Sequence, residues 1–209
     1  MKQLLLISLF FMAVEKISAQ DSIPGDYYMH GVMETASGFQ INADSTFQFF
    51  YSYGALDRYG KGTWRLMNDS TIVFDSEKRP PLDFKLVKHE ERKDDFVTIE
   101  ITGPNKNLLR YVAGGIKTGT GAEDIQTNNN GIAQIKRQRV DSIALVFTIC
   151  PDRYSIFPVT DKHDNYFLFE FEPWIATVFF ESFTLTFKNN ILTGKHPLLE
   201  GDDFTYDKE

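Results

Sequence analysis

Short segments in which apolar and polar residues alternate fill most of this 209-residue chain. In the segment 46–53, Phe47, Phe49 and Tyr51 alternate with polar residues, which places three aromatic side chains on one face of a strand. Phe50 lies on the opposite face, where we expect it to pack against a neighbouring element, and a ligand platform is the alternative. The first half therefore predicts antiparallel strands at 26–35, 39–42, 46–53, 60–67, 70–75 and 83–88.

The second half shows the same alternation and little helical periodicity. Nineteen phenylalanines and nine tyrosines, set among Val, Ile and Thr, favour a pleated, half-buried surface. Between the strands, a Gly-, Thr- and Asn-rich stretch at 114–130 predicts a long loop, and Pro173 predicts a turn. Further strands are predicted at 96–101, 109–113, 131–136, 140–147, 154–159, 166–171 and 183–187.

The predicted fold class is all-β, with two domains. A charge-rich run at 89–95 is the clearest change of composition in the chain, and it suggests a linker. We therefore predict an N-terminal antiparallel meander or half-barrel at 20–92, followed by a β-sandwich at 93–209. A solvated linker or hairpin inside one domain is the alternative interpretation of that run.

The first residues have the layout of a secretory signal peptide. Lys2 precedes an apolar run from Leu4 to Val14, and the small residues Ser18 and Ala19 come before a polar sequence. The run is shorter than the roughly 20 apolar residues that a membrane span needs. We therefore expect residues 1–19 to be removed and the mature chain to be secreted or periplasmic, with no membrane span.

Charge and cysteine content narrow the function classes. Removal of the leader takes the 22 basic and 29 acidic side chains of the chain to 20 and 28, a net charge of −8. Such a chain repels phosphate backbones, so nucleic acid is not an expected partner. Cys150 is the single cysteine, and it follows an apolar strand. It cannot form an intramolecular disulfide, and we expect it to be buried.

Two stretches resemble known families. The order of VTIEITGPNKNLL, a loop, NNNG, IAQIKR and VDSIALVF, within 96–159, resembles the carboxypeptidase regulatory-like domain, a transthyretin-like β-sandwich of secreted bacterial proteins. The resemblance implies a structural or adhesive module without catalytic residues of its own, although the insertion 114–130 departs from the family. The N-terminal stretch GVMETASGFQINADSTFQFFYSYGALDRYGKGTW resembles the lipocalin-like sheets of uncharacterised secreted bacterial proteins, which implies a shape and no activity.

Catalytic and metal-binding motifs are missing from the sequence. It has no Gly-x-Ser-x-Gly elbow, His-Glu-x-x-His motif, phosphate-binding glycine loop or Cys-x-x-Cys pair. The four histidines lie far apart, at 30, 89, 163 and 196. We therefore predict no catalytic residues, no metal site and no cofactor.

The best candidate for a ligand site is one rim of the predicted meander. Turns follow neighbouring strands there, so we expect a cluster of polar and aromatic side chains to converge, namely Glu34, Ser37, Tyr53, Asp57 and Arg58. The alternative is an internal salt bridge of Arg58 with Glu34 or Asp57 that helps to dock the two halves. Aromatic residues of the same half could stack on a sugar ring, although core packing is their commoner use: Tyr27, Tyr28, Tyr53, Tyr59 and Trp64.

These observations favour a secreted, non-enzymatic binding or interaction protein, whose partner is a protein or glycan of the cell envelope. The alternative is a hydrolase that acts on a glycan or peptide through Glu34 and Asp57 as a carboxylate pair. The two differ in geometry, because the hydrolase needs both carboxylates in one concave pocket.

Overall fold

The computed structural model describes residues 22–54 and 56–209, so the predicted signal peptide lies outside the described residues. Within these ranges no helix has the length and apolarity to cross a membrane, and one short 3₁₀ helix occupies Lys106–Tyr111. The predicted all-β class is confirmed. The strands, in chain order, are β1 Gly25–Met29, β2 Thr35–Ile41, β3 Thr46–Tyr53, β4 Leu56–Leu66, β5 Thr71–Asp75, β6 Phe84–Glu90, β7 Phe96–Thr102, β8 Val112–Thr118, β9 Gly121–Gln126, β10 Ile132–Lys136, β11 Val140–Phe147, β12 Ser155–Pro158, β13 Tyr166–Phe171, β14 Thr177–Val178, β15 Phe183–Lys188, β16 Ile191–Gly194 and β17 Phe204–Lys208.

Eight strands from the two ends of the chain close an antiparallel barrel. Strands β1 to β5 pair in sequence order, and β15 to β17 do the same. The barrel closes because β15 pairs with β5 and β17 pairs with β1. The C-terminal strands are therefore part of the same sheet as the N-terminal meander.

Aromatic side chains fill the barrel interior. Phe47, Phe49 and Tyr51 are buried, as their alternation predicts. Their neighbours are equally enclosed, with the ring centroids of Phe39 and Phe74 5.0 Å apart and those of Phe47 and Phe74 4.9 Å apart. An eight-stranded barrel has an interior just wide enough for side chains or one small ligand. Here the side chains occupy it.

The middle of the chain forms two further four-stranded sheets, ordered β10-β7-β13-β6 and β12-β11-β8-β9. Both sheets contribute to one core, which includes Ile99 and Phe169 from the first sheet and Leu145 from the second. Cys150 is buried in that core, as expected. Strand β13 pairs with β7 in parallel, and the other strand pairs of these two sheets are antiparallel.

Strand pairing differs from the predicted order of a meander followed by a sandwich. The predicted sixth strand of the meander, observed as β6, pairs with β13 and not with β5. The predicted boundary near Arg92 therefore does not coincide with a change of sheet, because β6 and β7 lie in one sheet on either side of it. The predicted loop 114–130 contains strand β9 and most of strand β8, which pair as a hairpin.

The segment that leads back to the barrel, 172–182, packs into it. Its short strand β14 pairs in parallel with β4 at Tyr59 and Gly60. Phe180 reaches the interior, where its ring lies 5.0 Å from that of Phe47 and 5.3 Å from that of Phe49. Gly60 makes room for it, since a Cβ there would lie 2.6 Å from the Phe180 ring and 2.8 Å from a β14 carbonyl.

Candidate functional site

The five residues of the predicted rim lie in two different environments. Glu34, Tyr53 and Asp57 are exposed near one end of the barrel, where the register pairs Thr35 with Tyr53 and Ser52 with Asp57. Ser37 and Arg58 are buried, with 1% and 4% of their surfaces exposed. The structure therefore brings three of the five to the surface at that end, and it places the other two among packed side chains.

Arg58 connects the barrel to the middle of the chain. Its guanidinium forms a two-pronged ion pair with Asp152, with N···O distances of 2.7 and 3.2 Å, and its Nε donates to the carbonyl of Ala176 at 3.2 Å. The docking role weighed above is thus observed, although the partner is Asp152 and not Glu34 or Asp57. Removing one member of such a pair leaves a charge with little solvent around it.

The ion pairing extends beyond Arg58. Arg79 contacts Asp152 at 3.2 Å and Asp83 at 2.9 Å, and Arg153 contacts the same Asp83 at 2.6 Å. Asp83 is buried, and its backbone N–H donates to the hydroxyl of Ser155. These charges satisfy one another between the barrel and the adjoining sheets, so we assign them to the fold.

Ser37 forms a buried hydrogen-bond chain with His196, and the direction of the bonds is fixed. Nδ1 of His196 accepts the backbone N–H groups of Leu198 and Leu199 at 2.9 and 3.0 Å, so it carries no proton. The proton of the neutral ring therefore lies on Nε2, which donates to the Ser37 hydroxyl at 3.1 Å. The hydroxyl in turn donates to the carbonyl of Phe50 at 2.9 Å.

This geometry gives the Ser37–His196 pair a structural role. A general base needs an unprotonated nitrogen facing the hydroxyl, whereas here Nε2 donates to it. Burial also lowers the pKa of His196 to about 4, so the ring is neutral at physiological pH. The ring packs among aromatic neighbours and is stacked on Tyr206 at a centroid distance of 6.3 Å.

The carboxylates of the alternative hydrolase, Glu34 and Asp57, are both solvent-exposed. Glu34 lies in the turn before β2 with a φ of 57°, and Asp57 points outward from β4. A catalytic acid of a glycosidase works in surroundings that exclude water. The exposure of both side chains gives that function no support.

The outer face of the barrel carries a different cluster, which the strand register assembles. Tyr28, Gly38, Phe50 and Tyr59 are paired in one row across β1, β2, β3 and β4. The rings of Tyr28 and Phe50 lie 6.0 Å apart, and Tyr59 is 64% exposed. A Cβ at Gly38 would lie 2.8 Å from the Phe50 ring, so this glycine lets the ring lie over the sheet. We call these four residues the aromatic row.

A polar row runs beside the aromatic row. Asp26, Gln40, Gln48 and Lys61 are paired in register across the same four strands, and each lies two residues from the aromatic-row residue of its strand. The Gln48 amide donates to the Gln40 side-chain oxygen at 3.0 Å. That bond uses one donor and one acceptor lone pair, so the two amides keep further hydrogen-bonding capacity. Equivalent positions two residues apart on a strand lie about 7 Å apart, so both rows can contact one ligand.

The two rows surround a shallow cavity of about 440 Å³, lined among others by Tyr28, Gln40, Gln48, Phe50 and Tyr59. Small-molecule sites combine apolar walls with a few polar groups that fix orientation. This surface has that composition, whereas packed aromatic side chains fill the barrel interior. We therefore take the aromatic and polar rows as the candidate binding surface.

No known family model, curated protein sequence or solved structure matches this chain. Fold and surface therefore define a class and not a family: an eight-stranded barrel with a filled interior and an exposed aromatic and amide surface.

Sequence reasoning identified part of this surface. Tyr28 and Tyr59 are among the aromatics considered for sugar stacking, whereas Tyr27 of that set is fully buried. Phe50 was expected to pack against a neighbouring element, and its closest described ring partner is Tyr28 on the same outer face. The amides of Gln40 and Gln48 were missed. In both strands these glutamines alternate with aromatic residues, which could have indicated a polar position on the outer face. Only the strand register shows that the two glutamines are neighbours.

Proposed function

We propose that this protein is a secreted, non-enzymatic binding protein that holds a neutral polysaccharide on the outer face of β1 to β4. The observation that carries the proposal is the aromatic row lying beside the amide-containing polar row. Sugar rings have apolar C–H faces that pack on aromatic rings, and their hydroxyls exchange hydrogen bonds with side-chain amides.

The size of the surface favours a polysaccharide over a folded protein partner. Stable protein interfaces bury about 800 Å² on each partner and involve roughly 20–30 residues a side. The aromatic row offers three rings, two of them partly buried, and polar side chains border it on both sides. A narrow apolar strip with polar edges matches the width of a polymer chain.

Charge favours a neutral ligand. The chain has a net charge of −7, and acidic side chains flank the surface at Asp26 and Asp57. Lys61 is the basic member of the polar row. An anionic polysaccharide would meet repulsion that a neutral chain avoids.

Secretion and the architecture of the middle of the chain belong to the same proposal. The leader-like residues 1–19 support export, which would bring the protein to cell-envelope polysaccharides.

Two four-stranded sheets with a shared core support a transthyretin-like sandwich for 84–171. In this proposal that sandwich is a structural or adhesive module, as its resemblance to the carboxypeptidase regulatory-like domain implies.

The test is retention of the purified protein on immobilised neutral polysaccharides, with cellulose, β-1,3-glucan, glycogen and mannan as probes and alginate as the anionic comparison. We expect binding to at least one neutral probe and none to alginate. The substitution Tyr59→Ala should weaken that binding about tenfold, since an aromatic contact contributes around 1 kcal/mol beyond its buried area. Tyr53→Ala is the matched control, because Tyr53 is also an exposed barrel tyrosine but lies outside the aromatic row.

Three results would count against the proposal. Absence of binding to every neutral probe would contradict it, as would equal weakening by Tyr59→Ala and Tyr53→Ala. Release of new reducing ends from a bound polysaccharide, lost in Glu34→Gln or Asp57→Asn, would support the hydrolase instead.

A further inference from the structure

A larger groove adjoins the candidate binding surface where the polar row reaches β3 and β4. Its volume is about 770 Å³, and its lining includes Gln48 and Lys61, which are the last two members of the polar row. Gln48 lines both this groove and the shallow cavity described above. The two spaces therefore meet at Gln48.

The groove has walls of two kinds. Aromatic side chains of the segment 172–182, Trp174 and Phe179, form an apolar wall, and hydroxyl groups of Thr46, Thr63 and Ser76 lie around it. Its charged groups balance in sign, with Lys61 and Lys78 against Asp75 and Glu77. The combination of aromatic, hydroxyl and balanced charged groups repeats the chemistry of the two rows.

Hydrogen bonds hold these walls in place without a ligand. The indole N–H of Trp174 donates to the carbonyl of Leu82 at 2.8 Å. The Ser76 hydroxyl donates to the carbonyl of Lys61 at 2.7 Å, and its backbone N–H donates to the carbonyl of Phe180 at 2.8 Å. A site that is already ordered avoids the entropic cost of ordering loops when a ligand binds.

We infer that this groove binds the next sugar units of the same neutral polysaccharide, so that the ligand runs across β1 to β4 and continues past Lys61 to Trp174 and Phe179. The inference rests on the proposed function. Four neighbouring strands span on the order of 14 Å, which is the length of a short oligosaccharide. A longer chain that follows the polar row leaves the outer face at Lys61 and enters the groove.

The inference predicts that affinity depends on ligand length. The probes are neutral glucan oligosaccharides of the cello-, laminari- and malto-series, and the measurement is isothermal titration calorimetry with the purified protein. In the series that binds, we expect a hexasaccharide to bind at least about tenfold more tightly than the trisaccharide, because the additional units gain contacts in the groove.

A blocking substitution separates the groove from the outer face. Thr63 is exposed on β4 and lines the groove, so Thr63→Arg should remove the gain from added length and leave trisaccharide affinity unchanged. Thr186→Arg is the matched control, because Thr186 is an exposed threonine on β15 that lies outside the groove. It should leave both affinities unchanged.

The outcomes for the groove and for the proposed function can be told apart. If a trisaccharide binds but a hexasaccharide gains nothing, or if Thr63→Arg keeps the gain, the groove inference is wrong and the outer-face site stands. If oligosaccharides of all lengths in all three series fail to bind, while the immobilised polysaccharides also fail, both are wrong.

Discussion

His196 makes the stability of the barrel depend on pH, and substitution with glutamine tests this. Burial lowers the pKa of His196 from 6.5 to about 4 in the folded state. In the unfolded chain the ring is solvated and keeps its ordinary pKa of about 6.5. Between these two values the unfolded chain binds a proton that the folded protein excludes.

The sign and size of the effect follow from proton linkage. Because the unfolded state binds more protons between pH 4 and pH 6.5, stability falls as the pH is lowered through this range. The full difference is about 3 kcal/mol, at 1.36 kcal/mol for each pKa unit. Between pH 7 and pH 5 the loss from this one group is about 2 kcal/mol, which is large against a typical folding free energy of 5–15 kcal/mol.

The assay is urea unfolding at pH 7, 6, 5.5 and 5, followed by the fluorescence of Trp64 and Trp174. Between pH 7 and pH 5 the free energy of unfolding should fall by about 2 kcal/mol more in the unsubstituted protein than in His196→Gln. Comparison of slopes cancels the constant loss of hydrogen bonds in the variant. It also cancels the carboxylates, which titrate in both proteins.

A second histidine provides the control. His163 is exposed, so His163→Gln should keep the pH dependence of the unsubstituted protein. The reasoning is refuted if His196→Gln retains the full slope, or if His163→Gln removes as much of it. Either result would mean that protonation of the buried His196 ring does not govern the pH dependence of stability.

Three further substitutions test the packing described above, each by urea unfolding at pH 7. Arg58→Met should cost about 2 kcal/mol, because Asp152 keeps only Arg79 as a partner and the carbonyl of Ala176 loses its donor. Arg65→Met, which removes an exposed pair at 3.5 Å, should cost less than about 1 kcal/mol, and similar losses would contradict a special role for the buried pair. Gly60→Ala should cost about 2 kcal/mol through overpacking. Gly119→Ala is the control and should be nearly neutral, because no atom lies within 4 Å of the new Cβ. Equal effects would contradict the close approach of the 172–182 segment. Tyr206→Phe removes a buried hydroxyl that has no hydrogen-bond partner among the described residues. The free energy of unfolding should therefore stay level or rise by about 1 kcal/mol, and a clear loss would reveal a partner for that hydroxyl.

Local alternation was sufficient to predict most of the strands, although β9, β14, β16 and β17 were not predicted. A strand repeats every two residues, so Phe47, Phe49 and Tyr51 identify a buried face from their spacing alone. Closure of the barrel is a different problem, because it depends on pairing between β5 and β15 and between β17 and β1. Periodicity within a segment carries no information about its partner.

The candidate surface was predictable only in part for the same reason. Single residues such as Tyr28 and Tyr59 could be recognised as candidates for sugar stacking, but their alignment with Phe50 depends on the register of three strand pairs. Arg58 and Ser37 show the opposite error. Their polarity suggested that they line a rim. Each is two residues from an interior residue of its strand, Gly60 on β4 and Phe39 on β2, so each side chain faces the interior and is buried.

The chain between β5 and β15 links the packing of the barrel to its candidate ligand surface. Phe180, from that chain, occupies interior space that an eight-stranded barrel could otherwise offer to a ligand. The same segment then supplies Trp174 and Phe179 to the groove outside. Filling the interior and building the outer wall are therefore two consequences of one packing arrangement. A change that withdraws this segment, such as a bulkier residue at Gly60, should weaken long-chain binding together with stability, because the groove has no aromatic wall without it.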